Sequence, residues 1–169
     1  MKSSFICKHK TTNKENQMKE RPMFKGVVNL IIKQDDKILL FFRNDGFFSY
    51  GGGWWVIPAG HIEHGETAKE AAIREAKEEL DIDIKPEDIE FAHVMSNLAS
   101  KTEGIDFFFV VNKFSGTMRN CEGDKCVEMR YMSPEEIKNT KNIVTTTNIA
   151  LNAILEGQTY SECRAYTTD

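Results

Sequence analysis

The sequence has no uninterrupted apolar run approaching the roughly 20 residues that a bilayer-spanning helix needs, so a helical membrane protein is excluded and a soluble chain is expected. It has no excess of positive charge: 22 Lys and Arg against 26 Asp and Glu give a net charge of -4. Nonspecific attraction to nucleic-acid backbones is therefore not expected, and a phosphate-rich ligand would have to arrive with bound cations. The four cysteines, Cys7, Cys121, Cys126 and Cys163, lack Cys-x-x-Cys spacing, and a chain of this size can build a core without disulfides. A reducing, cytoplasmic setting fits that usage. There is no internal repeat and no low-complexity segment; the first 22 residues lack the apolar stretch of a secretory signal, and with Glu15 and Glu20 counting mildly against a transit peptide, a plain tail is expected there.

What is present is the balance of a globular protein, 40% hydrophobic and 28% charged over 169 residues, enough for one ordinary domain and too little for two. Residues 1–22 are polar and lysine-rich and read as a flexible tail. Residues 23–160 read as the folded domain, and residues 161–169 as a C-terminal tail.

The domain opens with the β-rich run Val27 to Ile32, the turn signal Gln34-Asp35-Asp36 and a second run, Ile38 to Phe42, which together predict a β-hairpin. Asn44-Asp45-Gly46 and Gly51 to Gly53 mark a loop that leads into the short apolar segment Trp54 to Ile57, closed by Pro58. Thr67 and Glu70 have the form of a capping box, so a helix starts there, with Ala68, Ala72, Ala76 and Leu80 as a small-residue face that can lie close to a sheet. Asp81 and Lys85-Pro86 end that helix. Further strands are predicted at Phe91 to Met95, Asp106 to Val111 and Val127 to Met132, the middle one buried on both faces. Ser133 and Glu136 form a second capping box, and Ile149 to Leu155 reads as a last helix ended by Gly157. Strands outnumber helices without a regular βαβ alternation, which gives an α/β (α+β) class or a layered α/β/α arrangement.

The informative segment is Arg74-Glu75-Ala76-Lys77-Glu78-Glu79. At 3.6 residues per turn Glu75, Glu78 and Glu79 share one helix face, although like charges at this spacing cost about 0.2–0.5 kcal/mol per pair. A solvated acidic face accounts for such a run, and so does a site for hard divalent cations, which prefer oxygen ligands. Spacing alone leaves both open.

The surrounding residues favour the second. Gly60 is followed after five residues by Glu66, after seven more by Arg74-Glu75, then by Glu78-Glu79 and, one residue on, by Asp81-Ile82. This resembles the Nudix box of the MutT/Nudix hydrolases, whose pattern is Gly, five residues, Glu, seven residues, Arg-Glu, an aliphatic, any residue, Glu-Glu, any residue, Gly and an aliphatic. Trp55 to Glu63 is similar to the family's lead-in, and the order of elements through Leu155 is compatible with its α/β/α sandwich around a mixed sheet. Asp81 stands where the box has glycine, Ala76 where a bulkier aliphatic is common, and Ala59 where the first of two glycines usually stands; none of these removes a metal ligand.

Residue by residue, the resemblance implies that Glu75, Glu78 and Glu79 bind Mg2+, with Mn2+ as the alternative ion, and that the Gly60 carbonyl is an additional ligand. It implies that Glu66 and Arg74 pair to hold loop and helix in register, a structural rather than catalytic part for Glu66. Related enzymes often supply a base or a further ligand from the region of Glu122-Gly123-Asp124-Lys125, so Glu122 joins Glu75 and Glu78 as a catalytic candidate, against the reading of an ordinary acidic turn. His61 and His64 without a third ligand are a poor zinc signal. Phe47, Phe48, Tyr50 and Trp54 could stack on a base but read as packing. Cys126 reads as a buried thiol.

The implied reaction is hydrolysis of a diphosphate bond in a small nucleotide substrate, with no nucleic-acid polymer and no membrane as partner, and with homodimerisation expected from family analogy. Ser96-Asn97-Leu98-Ala99-Ser100 holds neither the proline typical of ADP-ribose hydrolases nor the tyrosine of diadenosine-polyphosphate hydrolases. The MutT-like reaction, nucleoside triphosphate to monophosphate and pyrophosphate, is therefore the leading expectation. An ADP-ribose or nucleotide-sugar diphosphatase is the runner-up, and a non-catalytic nucleotide-binding Nudix module is the alternative of another class.

Overall fold

In the computed structural model, residues 23–44, 53–99 and 103–164 are described. The expected tail over residues 1–22 and the aromatics Phe47, Phe48 and Tyr50 lie outside them.

The two apolar runs near the start form the predicted hairpin, β1 (Lys25–Gln34) and β2 (Lys37–Arg43). Asp35 turns it with a positive φ of 56°, a conformation that Asp tolerates better than most residues. Next come β3 (Trp54–Val56) and β4 (Ala59–His61), then the helix α1 (Ala68–Leu80). The strands β5 (Ile89–Asn97), β6 (Gly104–Val111) and β7 (Cys126–Met132) follow, then α2 (Pro134–Asn139), α3 (Thr145–Leu155) and β8 (Tyr160–Cys163).

All eight strands join one mixed sheet. Its main part runs β4-β1-β6-β5-β8, with β1 parallel to β6, β5 parallel to β8 and the other pairs antiparallel. The hairpin carries β2 into an antiparallel ribbon flanked by β3 and β7.

Both faces of the sheet are covered, which is why its inner strands read as continuous apolar runs rather than as an alternation. On one face, Ala71, Ala72, Ala76 and Leu80 of α1 pack on Val28, Leu30, Ile32, Phe109 and Val111. On the other, Ile137 of α2 and Ala150 and Leu151 of α3 pack with Ile31, Met95 and Phe108. Neighbouring Phe108 and Phe109 thus enter opposite cores, as two-sided burial of that strand requires. The result is an α/β/α sandwich, and the alanine face lets the helix carrying the glutamates lie directly on the sheet.

Several strands run a residue or two beyond the expected bounds, and two boundaries differ by more. The last helix starts at Thr145, four residues before the apolar pattern begins, because its first turn is the polar run Thr145-Thr146-Thr147, of which Thr147 is buried. Pro58 closes the apolar segment of β3 as expected, and beyond it, with the Pro58 carbonyl accepting from the Leu30 amide, the chain resumes as β4. The sheet also runs past residue 160. Tyr160–Cys163 pair with Val94 to Asn97 and Cys163 is buried, so the segment begun as a tail at 161 contributes an edge strand.

Candidate active site

Local chemistry fixes both ends of α1. Thr67 accepts from the Glu70 amide and the Glu70 carboxylate accepts from the Thr67 amide at 2.7 Å, the predicted capping box. At the exit, Asp81 adopts φ 54° and ψ 31°, the left-handed conformation that glycine takes without strain. Its carboxylate is held by Lys77 at 2.9 Å and Arg119 at 3.0 Å. The orphan carbonyls of the last turn are met by a returning segment. The Arg119 amide donates to the Leu80 carbonyl at 3.0 Å and the Cys121 amide to the Glu79 carbonyl at 2.9 Å, while Asp83 and Ser115 exchange two backbone hydrogen bonds. That docking delivers the next residue, Glu122, to the glutamate face of α1.

Arg74 ties the preceding loop to the helix. Its Nε and Nη2 donate to the two carboxylate oxygens of Glu66 at 3.1 and 2.8 Å, the planar fork geometry suited to a carboxylate. Nη2 also donates to the His61 carbonyl at 2.9 Å, and Nη1 donates to Glu75 at 2.8 Å and Glu78 at 3.1 Å. Glu66 in turn accepts from the Glu63 amide at 2.7 Å. These donors hold the Glu66 carboxyl below its ordinary range, hydrogen bonding from Arg74 first and from the Glu63 amide second.

The inner carboxylates are desolvated. Glu79 is only 6% exposed and accepts from the Ala59 amide at 3.2 Å. Burial first, then the nearby charges of Glu122 and Glu75, push its carboxyl up to about 8. Glu75 is raised as well, chiefly by burial and against the pull of Arg74. Gly60 lies so close to Glu75 that a Cβ on it would collide with the carboxylate, so any larger residue there would displace Glu75. Glu122 lies 3.3 Å from an Arg43 guanidinium nitrogen, with both side chains largely shielded from water. Glu78, by contrast, faces solvent.

Among the described residues, no three His, Cys, Asp or Glu side chains converge closely enough to enclose an ion as they stand. Arg74 engages Glu75 and Glu78, and the Ala59 amide engages Glu79. The donor chemistry fits a hard divalent cation: the ligands are carboxylate oxygens, partly desolvated and mutually repelling, beside a glycine whose missing side chain leaves them room.

The structure therefore brings together Gly60, Glu66, Arg74, Glu75, Glu78, Glu79 and Glu122. Trp54 is half-buried in β3, His61 and His64 are exposed, and Cys126 is the buried thiol expected of it, its acidity suppressed by burial to about 11. Three contributors were not legible in the sequence. The Ala59 amide and the His61 carbonyl act through the backbone, so side-chain identity carries no trace of them. Arg43 is the polar end of an apolar strand, an ordinary pattern for a strand entering a loop.

The NUDIX domain family model matches residues 23–149. The chain is 40% identical over 56 residues to the uncharacterized Nudix hydrolase YvcI of Bacillus subtilis, a match covering 33% of this chain and 32% of that protein. It is 30% identical over 104 residues to an ADP-ribose pyrophosphatase of Methanocaldococcus jannaschii, covering 62% of this chain and 59% of that protein. The matched region thus spans about a third and about three fifths of these two relatives. Its fold is similar to that of a MutT NUDIX hydrolase from Burkholderia pseudomallei, with a TM-score of 0.67, 24% identity, and coverage of 79% of this chain and 98% of that one. The family match runs from before β1 into α3 and takes in the whole glutamate helix with its Arg74 brace, and on that ground the chain belongs to the MutT/Nudix hydrolase family.

Proposed function

We propose that the protein hydrolyses a diphosphate bond in a nucleotide, converting a nucleoside triphosphate and water to the monophosphate and pyrophosphate. The observation that carries the reading is the carboxylate face of α1, fixed to the Gly60 loop by the Arg74–Glu66 fork and met by Glu122 from a separate segment. Glu75, Glu78 and Glu79, with the Gly60 carbonyl, would hold Mg2+, or Mn2+ in its place. When bound, such an ion neutralises the phosphate chain and makes the attacking water easier to deprotonate. Arg74 keeps Glu75 and Glu78 in register. Glu122 is assigned as the proton acceptor because it reaches the cluster from outside the helix. The reaction needs no contact with a polymer or a membrane, and no helix among the described residues is long and apolar enough to span one.

A second reading, a diphosphatase for ADP-ribose or a nucleotide sugar, is favoured by the 30% identity to an ADP-ribose pyrophosphatase. It keeps the same carboxylates and changes what lies beyond the second phosphate. The two are separated by chromatographic product analysis with and without magnesium, using nucleoside triphosphates, ADP-ribose, sugar nucleotides and dinucleoside polyphosphates. Magnesium-dependent monophosphate and pyrophosphate from triphosphates supports the first reading, and turnover of ADP-ribose or sugar nucleotides alone replaces it with the second. Glu78→Gln, which removes charge without volume, is expected to lose most turnover in either case while leaving the melting temperature near wild type. Absence of turnover across the whole panel would overturn both and leave a nucleotide-binding module.

A further inference from the structure

We propose that Arg43 is a positioning residue for this hydrolysis, its guanidinium fixing the Glu122 carboxylate beside Glu79. The inference rests on the assignment of Glu122 under the proposed function.

Arg43 ends β2, a strand anchored in the core by Leu39, Leu40 and Phe41, all at most 1% exposed. Glu122 belongs to the segment between β6 and β7 that precedes a short 3-10 turn at Gly123–Lys125. Such a segment, with few sheet hydrogen bonds of its own, needs an outside reference to hold a carboxylate in place. The two side chains meet at 3.3 Å, with 16% and 13% of their surfaces exposed. At that depth an ion pair is poorly screened, and its geometry is better defined than that of an exposed pair. The contact to Lys125, at 3.5 Å with that side chain 60% exposed, is the weaker one.

The backbone is adapted to this contact. Along β2 and β7, Phe42 pairs with Glu128 while Arg43 pairs with Cys126, so the register slips by one residue at this point. Irregularities of this kind re-aim a side chain at the edge of a sheet and are common beside active sites. The same loop is held from below, where the Asn120 side-chain amide donates to the Cys126 carbonyl and its oxygen accepts from the Glu122 amide at 3.0 Å. Two observations place Arg43 within electrostatic reach of the inner cluster as well as of Glu122. It draws the Glu79 carboxyl down against burial and the neighbouring carboxylates, and at the buried Cys126 thiol it counters the pull of Glu122 and Glu79. Arg43 thus links the rigid strand to the loop acid, close enough to the deepest acid of α1 for its charge to be felt there.

The test is a mutant cycle on the full chain with the substrate that the product analysis identifies. Glu122→Gln is expected to lower kcat by about 10²–10⁴-fold, the usual worth of a positioned base. Arg43→Met should lower kcat by at least about tenfold with KM within about threefold, since the substrate still binds and the acceptor is misplaced. Arg43→Lys should recover only part of the loss, because a compact ammonium on a differently shaped stem keeps the charge without reproducing the guanidinium's approach to Glu122. The double variant Arg43→Met with Glu122→Gln should be no slower than Glu122→Gln alone, because a positioning residue has nothing left to position. Mn2+ titration by electron paramagnetic resonance should give Arg43→Met an affinity within about threefold of wild type, a readout that does not depend on turnover.

Near-normal kcat in Arg43→Met, additive losses in the double variant, or a large loss of Mn2+ affinity would overturn the proposal. If Arg43→Met does not fold, as judged by circular dichroism, the cycle is run with Arg43→Lys and the same non-additivity decides. A wild-type protein that turns over normally beside an unaffected Arg43→Met sinks this inference alone. A wild-type protein with no turnover sinks the hydrolase reading and this inference with it.

Discussion

Asp106 is a carboxylate that the fold holds at a cost, and replacing it with Asn should show how large that cost is. It sits in β6 between Val27 and Met95, is 5% exposed, and accepts one hydrogen bond from the Asn97 amide at 3.0 Å. Burial raises its carboxyl from 3.8 to about 6, partly offset by Asn97. Below about pH 4 the group is protonated in folded and unfolded chains alike, and its ionisation costs nothing. Between about 4 and 6 the unfolded chain releases the proton first, so stability falls by about 1.4 kcal/mol per pH unit. Above about 6 both states are ionised and the loss is complete, at about 3 kcal/mol. Asn keeps the acceptor for Asn97 but brings a buried amide donor that needs a partner, which offsets part of the gain. A net stabilisation of about 1–2 kcal/mol at pH 8 is expected, or roughly 3–8 °C in melting temperature for a domain of this size. Urea titrations of both proteins at pH 4, 5, 6 and 8 measure it. The advantage of Asp106→Asn should be absent at pH 4 and grow up to pH 6, and an advantage independent of pH would refute the reasoning.

Gly60→Ala places a methyl group against the Glu75 carboxylate and should cost about 1–3 kcal/mol of stability and most of the turnover, read by thermal melts and single-substrate kinetics. Asp81→Ala should destabilise the protein by about 1–2 kcal/mol, because Ala keeps the strain of the left-handed exit and loses the pairs with Lys77 and Arg119. Asp81→Gly should stay within about 1 kcal/mol of wild type in the same urea assay, since it relieves that strain as it loses the pairs.

What was legible in the sequence was whatever depends on local spacing. Thr67 and Glu70 state the start of α1 within one turn, and Ser133 and Glu136 do the same for α2, because a capping box is read out by the residues that compose it. The carboxylates of α1 share a face by helix geometry alone, and the match from Gly60 to Ile82 carried the brace between Glu66 and Arg74 with it. Tyr160–Cys163 was not legible: four residues without apolar alternation become a strand only because β5 offers them an edge, which is a tertiary decision. The meeting of Arg43 with Glu122 is of the same kind, joining residues far apart in the chain through the pairing of β2 with β7. The box position held by Asp81 belongs between these cases. The sequence shows that glycine is missing, and the structure shows the left-handed turn adopted by an aspartate whose carboxylate meets Lys77 and Arg119.

The placing of these acids follows from electrostatics that the helix itself makes worse. Glu78 and Glu79 lie in the last turn of α1, where the helix dipole adds the equivalent of about half a negative charge, and Glu75 sits one turn earlier. A diphosphate alone would be drawn to the opposite end of a helix, where amide groups are free. It would be repelled here. The protein relieves part of the strain with its own cations: Arg74 engages Glu66, Glu75 and Glu78, and Arg43 engages Glu122. Glu79 is the most deeply buried of these acids, and burial first, then the charges of Glu122 and Glu75, raises its carboxyl against the pull of Arg43. A doubly charged cation at this end would gain from several carboxylates and from the dipole at once, leaving a locally positive face for the substrate phosphates. On this account the C-terminal position of the acids and the proposed need for a divalent ion express one constraint: a helix end that repels phosphate by itself binds it only through a cation.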